Sequence, residues 1–294
     1  MGQQFVRVFM GILFALAALF SWGLGDFLIQ RSARKFGDWI ALFYITAFGS
    51  IILLPFVYRD LASALNSHTI LLLVASCAIL LAALLDFEAL RVGKISVIEP
   101  IYALEIIVTV VLSLYIIRER LTLLQGLLIG SSMIGIFLVS TKSFHHVKTI
   151  HLEKGIWYAL SAALCMGAVN FLFGIGARAI SPLMINWFTS AFIAVVAFVY
   201  LISASRLREA AADFKQNKRL IFNVSFFDNL AWIMFSYATL YIPIAVATSI
   251  SEGYIALASF LGFYFNREKL KYHQILGLVL VIISIVVLGS ITPE

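Results

Sequence analysis

The amino-acid sequence predicts an all-α membrane protein whose ten transmembrane helices form two inverted five-helix repeats. Three observations lead to this fold class: long apolar segments, an internal repeat, and the distribution of charge between the loops. The 294 residues are 62% hydrophobic and only 12% charged, with a mean hydropathy of +1.02, whereas soluble domains carry about 25% charged residues. Most of the chain is therefore expected to lie in lipid.

Apolar stretches of about 20 residues recur along the chain, and each is long enough to cross the roughly 30 Å hydrocarbon layer as a helix. Helices are expected because a helix satisfies its own backbone hydrogen bonds in lipid. Only Ile242 and Pro243 interrupt the apolar run between the eighth and ninth spans, and we predict a hairpin there. The predicted spans are residues 8–28, 39–58, 69–90, 95–116, 121–140, 155–177, 183–204, 220–241, 245–265 and 273–291.

An internal repeat divides the chain into two halves. Residues 11–34 match residues 155–178 without gaps, with 10 identities in 24 positions. A second match aligns residues 118–125 (RERLTLLQ) with residues 267–274 (REKLKYHQ), each of which joins the fourth and fifth helices of its half. We therefore predict a first repeat over residues 1–143, a linker over 144–154 and a second repeat over 155–294.

Loop charges indicate that the second repeat is inverted relative to the first. An odd number of helices per repeat makes the second copy enter the membrane from the opposite side, and Lys and Arg accumulate in cytoplasmic loops. In the first half these residues are concentrated after helices one and three, and in the second half they are concentrated in the other pair of loops. One side carries 16 basic residues and the other 5, which places the central linker in the cytoplasm and both termini outside.

These motifs resemble the EamA type of the drug/metabolite transporter superfamily over nearly the whole chain. Glu-Arg/Lys-Leu followed by Gln occurs at residues 119–125 and 268–274, the opening helix contains Trp22-Gly23, and Tyr237-Ala-Thr-Leu precedes Pro243. The resemblance implies two inverted five-helix bundles around a central cavity, which solutes cross by alternating access. It also implies export of amino acids, other metabolites or toxic compounds, often driven by a proton gradient.

Two features depart from the family pattern. The family usually has both termini in the cytoplasm, opposite to the orientation that the loop charges indicate. The fourth helix opens with Glu99-Pro100, but Thr248-Ser249 occupies the equivalent place in the second half. The sequence therefore does not decide whether the two halves share a helix kink.

Three carboxylates near the middle of predicted spans are the main candidates for binding a proton or a cationic substrate group. They are Glu105 in the fourth helix, Asp228 in the eighth and Glu252 in the ninth. A carboxylate at the bilayer centre is costly unless it is paired, protonated or facing water. Inverted repeats place substrate sites at the midplane where the halves meet, so these side chains are expected to share one cavity. The structural alternative is a carboxyl group that only packs helices.

Neighbouring polar and aromatic residues extend this candidate site. Each of them has an alternative structural role in packing helices or in the aromatic belt. The candidates for substrate or proton binding beside the three carboxylates are Asn229, Trp232, Thr248, Ser249, Tyr102 and Tyr254. Asp26, its aligned counterpart Asn170, and Glu99 are candidates for a gate or a cavity mouth.

Several other features favour structural roles. Asp86, Glu88, Arg91 and Lys94 cluster near a predicted helix end, where the i, i+3 spacing of Glu88 and Arg91 is typical of a surface ion pair. The small-xxx-small pattern from Gly126 to Gly130 permits close helix approach within the bundle or to a like subunit, so a homodimer is a candidate assembly. Cys77 and Cys165 are expected to be packing residues.

Nothing in the sequence indicates a cofactor, a metal site or a nucleic-acid partner. His145, His146 and His151 lie in the central linker without an accompanying ligand set, and no phosphate-binding glycine loop or nucleophile with an adjacent base is present. The net charge of +6 is scattered over the loops and does not form one stripe.

The sequence therefore predicts a secondary transporter in the cell membrane that exports amino acids or related metabolites. In one form of this hypothesis the transport is coupled to protons, and in the other the protein equilibrates its substrate. Efflux of lipophilic cations is the alternative within transport. A membrane-embedded enzyme or a lipid-handling protein is the alternative from another class.

Overall fold

The computed structural model describes residues 2–92, 95–141, 155–257, 260 and 270–291, and the described residues form helices without a β-strand. Short turns join most of the helices. In chain order the helices are α1 (Gly2–Phe36), α2 (Asp38–Val57), α3 (Leu61–Val92), α4 (Ile95–Tyr102), α5 (Leu104–Tyr115), α6 (Leu123–Ser140), α7 (Ile156–Ala179), α8 (Pro182–Ser203), α9 (Leu207–Tyr241), α10 (Ile244–Ser251) and α11 (Tyr272–Ile291).

The helices have the length and composition of membrane spans. Seven of the helices in the described part of the chain are long and apolar enough to cross a bilayer, and two shorter apolar helices cover Pro100–Tyr115 and Ile244–Leu257. Large apolar side chains such as Ile70, Leu123 and Val195 are exposed on their outer surfaces, as expected for contact with lipid. The protein is an all-helical, multi-pass membrane protein.

Two helices begin well before the positions that the sequence predicts. The third helix begins at Leu61 and kinks at His68, and α9 begins at Leu207 and kinks at Asn217. The residues before each kink are too polar to be recognised as part of a span, but they include Leu and Ala, which favour helix. The predicted segments 69–90 and 220–241 are therefore helical, and hydropathy missed the helical residues that precede each of them.

The helix that follows the third in each half is broken at an equivalent position. In the first half the break is at Ala103, between α4 and α5, three residues after Pro100, which lacks the N–H that a continuous helix needs. In the second half α10 ends at Ser251, and Glu252 and Gly253 form a turn. Ala103 corresponds to Glu252 in the register that aligns the two linkers, so both halves are broken although only one has the proline.

The two halves interlock with contacts that are symmetric when the halves are exchanged. The first helix of each half packs on the third transmembrane helix of the other half, as α1 with α9 and α3 with α7. The second helices pack on each other, as α2 with α8, and so do the fifth helices, as α6 with α11. The core consequently lies between the halves, where a shared cavity can form.

Two glycines let the fifth helices come close together. A Cβ built on Gly277 would lie 2.6 Å from the Gly135 carbonyl oxygen, and one built on Gly135 would lie 2.8 Å from that of Gly277. Gly126 and Gly130, which the sequence singled out for close approach, have no such neighbours within 4 Å of a built Cβ. The close contact within the bundle therefore occurs further along α6 than the small-xxx-small pattern suggested.

Replacing Trp187 by Phe is expected to lower the free energy of unfolding by about 0.6 kcal/mol, the typical value of an interhelical hydrogen bond in a membrane protein. The Trp187 indole N–H donates to the Ser50 carbonyl oxygen of α2 at 3.1 Å, and Phe keeps an aromatic ring in place without this bond. Thermal unfolding in detergent measures the change. Trp157→Phe is the control because Trp157 is 76% exposed, and an equal loss in both variants would assign the effect to ring size.

Candidate functional site

A cavity of about 110 Å³ lies between the two halves. This volume has room for several water molecules. Both halves contribute to its wall through the middle parts of their helices. The lining residues are Trp22, Ile29, Leu42, Ile45, Thr46, Ile79, Ala83, Asp86, Phe87, Glu105, Met166, Asn170, Phe173, Asn186, Thr189, Ser190, Ile193, Asp228, Asn229, Trp232, Glu252 and Tyr254.

Among the described residues, four carboxylates face this cavity. The three that the sequence singled out, Glu105, Asp228 and Glu252, all line it, and Asp86 is the fourth. Glu105 and Glu252 are deeply buried, with 5% and 2% of their surface exposed. Among the lining residues that the structure describes there is no Lys, Arg or His. Carboxylates that are ionised in such a lining attract positive charge.

The sequence predicts that Asp86 belongs to a charged cluster at a helix end, and the structure corrects this prediction. It lies inside α3, which continues to Val92, and its side chain lines the cavity. Its former partners Glu88 and Arg91 do form an ion pair near the end of α3. The Tyr102 side chain interacts with the Asp86 carboxyl group, so Tyr102 adjoins the site although it is not part of the cavity lining.

Glu252 is oriented by an amide from the neighbouring helix. The Asn170 side chain of α7 donates to Glu252 Oε1 at 3.1 Å, and Asn170 is itself buried. The sequence suggested a gate or mouth for Asn170, whereas the structure places it inside the cavity beside the carboxylate. An amide in this position fixes the direction of the carboxylate, which is a requirement for specific binding.

The remaining polar candidates divide between the cavity and the helix packing. Asn229 lines the cavity, but its amide donates to the Ile45 and Ser225 carbonyl oxygens, so it also joins α9 to α2. The Ser249 hydroxyl bonds back to the Ala245 carbonyl oxygen at 2.7 Å. Thr248 is buried, and its hydroxyl has no hydrogen-bond partner among the described residues. Neither Thr248 nor Ser249 lines the cavity.

Aromatic rings form one wall of the cavity. Trp232 contacts Trp22 edge-on with centroids 5.1 Å apart and Phe173 with centroids 4.6 Å apart. Tyr254 lies 5.9 Å from the Trp22 ring. The faces of such rings attract cations, as ionised carboxylates in the same lining do.

Hydroxyl and amide groups form another part of the wall, and sequence reasoning missed them. They are Thr46 on α2 and Asn186, Thr189 and Ser190 on α8. The repeat register could have found them, because Thr46 and Ser190 occupy equivalent positions in the two halves. The same register relates Trp22 to Met166 and Ile29 to Phe173, all of which line the cavity.

Some candidates lie outside what the structure describes. These are the side chains of Asp26 and Glu99 and all of Lys94, His145, His146 and His151. Within the described part of the chain, no group of three or more His, Cys, Asp or Glu residues could hold a metal ion. Cys77 and Cys165 are both free thiols.

Interlocked helical halves with an acidic cavity between them are typical of membrane transporters built from repeats. The chain belongs to the EamA-like transporter family, whose model matches residues 9–141 and 153–290. It is thus an EamA-type member of the drug/metabolite transporter superfamily, and members of this family are transporters.

Two further comparisons concern individual proteins. A search of curated proteins found no match. A solved structure titled only "Crystal structure of protein" is similar in fold, with a TM-score of 0.73 and 11% sequence identity, over 96% of this chain and 97% of the other. At this identity the similarity concerns the fold alone.

Proposed function

We propose that this protein is a secondary transporter, in the cell membrane, for small organic solutes that carry a positively charged amino group. One observation carries the proposal: the described residues that line the cavity between the halves include four carboxylates and no basic side chain. A buried carboxylate needs a counter-charge or a proton. The ammonium group of a solute supplies the counter-charge. Protonation of the carboxylate would release the solute and so couple its transport to a proton gradient.

Alternating access is the mechanism that the fold supports. The cavity lies at the interface of two repeats, and inverted repeats commonly expose such a site to each face in turn by rocking against each other. The helix breaks at Ala103 and Glu252 adjoin Glu105 and the cavity. Discontinuous helices of this kind are typical of substrate sites in transporters.

Two solute classes fit the wall, and different parts of it favour each. The aromatic wall of Trp22, Phe173 and Trp232 favours lipophilic cations. The Ser190 hydroxyl lines the cavity and favours amino acids, since a hydroxyl can donate a hydrogen bond to the α-carboxylate of a zwitterion. We place amino acids and related amines first because the lining combines carboxylates with amide and hydroxyl side chains, which suits a small polar solute.

Uptake into proteoliposomes tests the proposal. Thermal-shift screening of the purified protein with basic amino acids, neutral amino acids, a tetraphenylphosphonium salt and dicarboxylic acids selects the binders, because a bound ligand stabilises the folded state. We expect stabilisation by ammonium-bearing solutes and none by dicarboxylic acids. Uptake of the selected radiolabelled solute should then depend on the protein and respond to an imposed pH gradient.

The outcomes separate the alternatives. Stabilisation by tetraphenylphosphonium but not by amino acids would replace the first solute class with the second. Protein-dependent uptake that does not change with the pH gradient would support a transporter and rule out proton coupling. Preferential binding and uptake of anions would overturn the proposed charge selectivity.

A further inference from the structure

The linker of the first half reaches across to the second half at one face of the membrane. Glu119 follows α5 and is nearly buried, with 8% of its side-chain surface exposed. Its two carboxylate oxygens accept hydrogen bonds from the backbone N–H groups of Ile244 at 2.8 Å and Ala245 at 3.2 Å. A carboxylate from one half therefore caps the first turn of α10 in the other half, where the helix has free N–H groups and a positive dipole end.

Arg178 completes this contact from the end of α7. One of its terminal nitrogens lies 2.9 Å from Glu119 Oε1. The Arg178 Nε–H donates to the Thr239 carbonyl oxygen at 2.7 Å, and its Nη2 donates to the Ile242 carbonyl oxygen at 3.0 Å, at the end of α9. The guanidinium thus joins two helix C-terminal ends, which attract cations, to the carboxylate that caps a helix N-terminus.

The pair joins α7 to α10, the two helices that position the cavity carboxylate Glu252. Glu252 directly follows α10, and Asn170, which orients it, lies on the same helix as Arg178. All side chains of α10 from Ile244 to Ser251 are buried. A Cβ on Gly174 of α7 would lie 2.5 Å from Ile244 Cδ1, so α7 and α10 are in close contact just inside the Glu119–Arg178 pair.

We infer that the Glu119–Arg178 pair is a gate that closes the cavity at this face, and that it also positions the helix leading to Glu252. The inference rests on the proposed transport function, because it assigns a role within alternating access. Rocking the two halves apart at this face requires Glu119 to leave the first turn of α10 and Arg178. Loss of the pair should therefore shift the protein toward the conformation that is open here and closed at the opposite face.

Cysteine accessibility measures this shift without any solute. In a background with Cys77→Ser and Cys165→Ser, one reporter is Ala247→Cys, on the buried α10 near the pair. The other is Leu42→Cys, which lines the cavity near the start of α2, at the opposite face. We expect Glu119→Gln to raise the rate of labelling at position 247 by a membrane-impermeant maleimide about tenfold, within the usual range of coupling effects, and to lower the rate at position 42.

Controls distinguish a gate from a general loss of stability. Glu209→Gln removes a partner from the exposed Arg206–Glu209 ion pair at the opposite face and should change neither rate. Arg178→Gln should reproduce the effect of Glu119→Gln, and the double variant should add little, because both remove one interaction. A higher labelling rate at both positions would mean loosened packing. Unchanged labelling rates would mean that the pair does not control access to the cavity. Either result overturns the inference.

The experiment remains informative if a variant or the proposed function fails. Should Glu119→Gln not be recovered folded, Arg178→Lys keeps the charge but loses the planar fork, and it should shift both rates in the same directions by a smaller factor. Labelling requires no transported solute. A reciprocal shift in a protein that moves no ammonium-bearing solute would therefore support the gate and refute the charge selectivity.

Discussion

Glu252→Gln is expected to weaken the binding of an ammonium-bearing solute about 10- to 100-fold and to reduce its uptake accordingly. The Gln side chain has the same shape and retains an oxygen that can accept the hydrogen bond from Asn170, which Glu252 Oε1 accepts at 3.1 Å in the structure. The charge is the main change. A hydrogen bond to a charged group contributes about 1.5–3 kcal/mol, and each 1.4 kcal/mol is about tenfold in affinity.

Solute titration by thermal shift and proteoliposome uptake measure this effect. Asp60→Asn is the matched control, because Asp60 is an exposed carboxylate in the turn between α2 and α3 and its neutralisation should leave binding and uptake unchanged. If Glu252→Gln binds the solute as tightly as the wild type, Glu252 packs helices and does not bind the amine. Glu105→Gln and Asp228→Asn would then identify which of the other cavity carboxylates does.

Gly277→Ala is expected to lower the free energy of unfolding by about 3 kcal/mol, at the upper end of typical overpacking effects. The added methyl carbon would lie 2.6 Å from the Gly135 carbonyl oxygen and 2.7 Å from the Val139 backbone nitrogen. Both are backbone atoms and cannot rotate away, so α6 and α11 must move apart. That movement also disturbs the hydrogen bonds from the Gln274 side chain to carbonyl oxygens at the end of α6.

Gly126→Ala provides the same chemical change without the contact, because a Cβ at Gly126 meets nothing within 4 Å. Alanine favours helix over glycine by about 0.8–1.0 kcal/mol, so this variant should be at least as stable as the wild type. Thermal unfolding and the monodisperse yield in detergent compare the two variants. Equal stability of both would show that the fifth helices are not tightly packed at Gly277.

Several elements of the fold could be predicted from the sequence because their signals are local. The division at Ile242 and Pro243 separates α9 from α10 as predicted, since the apolar run there is too long for one crossing. The Glu-Arg/Lys-Leu-x₃-Gln motif marks both linkers, and in the first copy Gln125 forms a capping box with Thr122 at the start of α6. Apolar length and capping residues act within a few turns of chain, so they are visible without tertiary contacts.

The candidate site was predictable only in part. Glu105, Asp228 and Glu252 stood out because a carboxylate in an apolar span is costly wherever the helix packs. Asp86 did not stand out, because its sequence neighbours are charged and suggested a helix end. The role of Glu119 was also invisible, since its motif marks a linker and its partner Arg178 lies 59 positions away in the other half.

The sequence by itself determined that this chain crosses the membrane repeatedly in two similar halves and carries carboxylates in apolar spans. Hydropathy and repeat register are properties of short segments and survive without knowledge of neighbours. The tertiary structure alone decided which helices pair across the halves and that Asp86 joins the other carboxylates in one cavity. It also placed Glu119 on Arg178 and α10, because contacts between distant segments depend on how whole helix surfaces fit together.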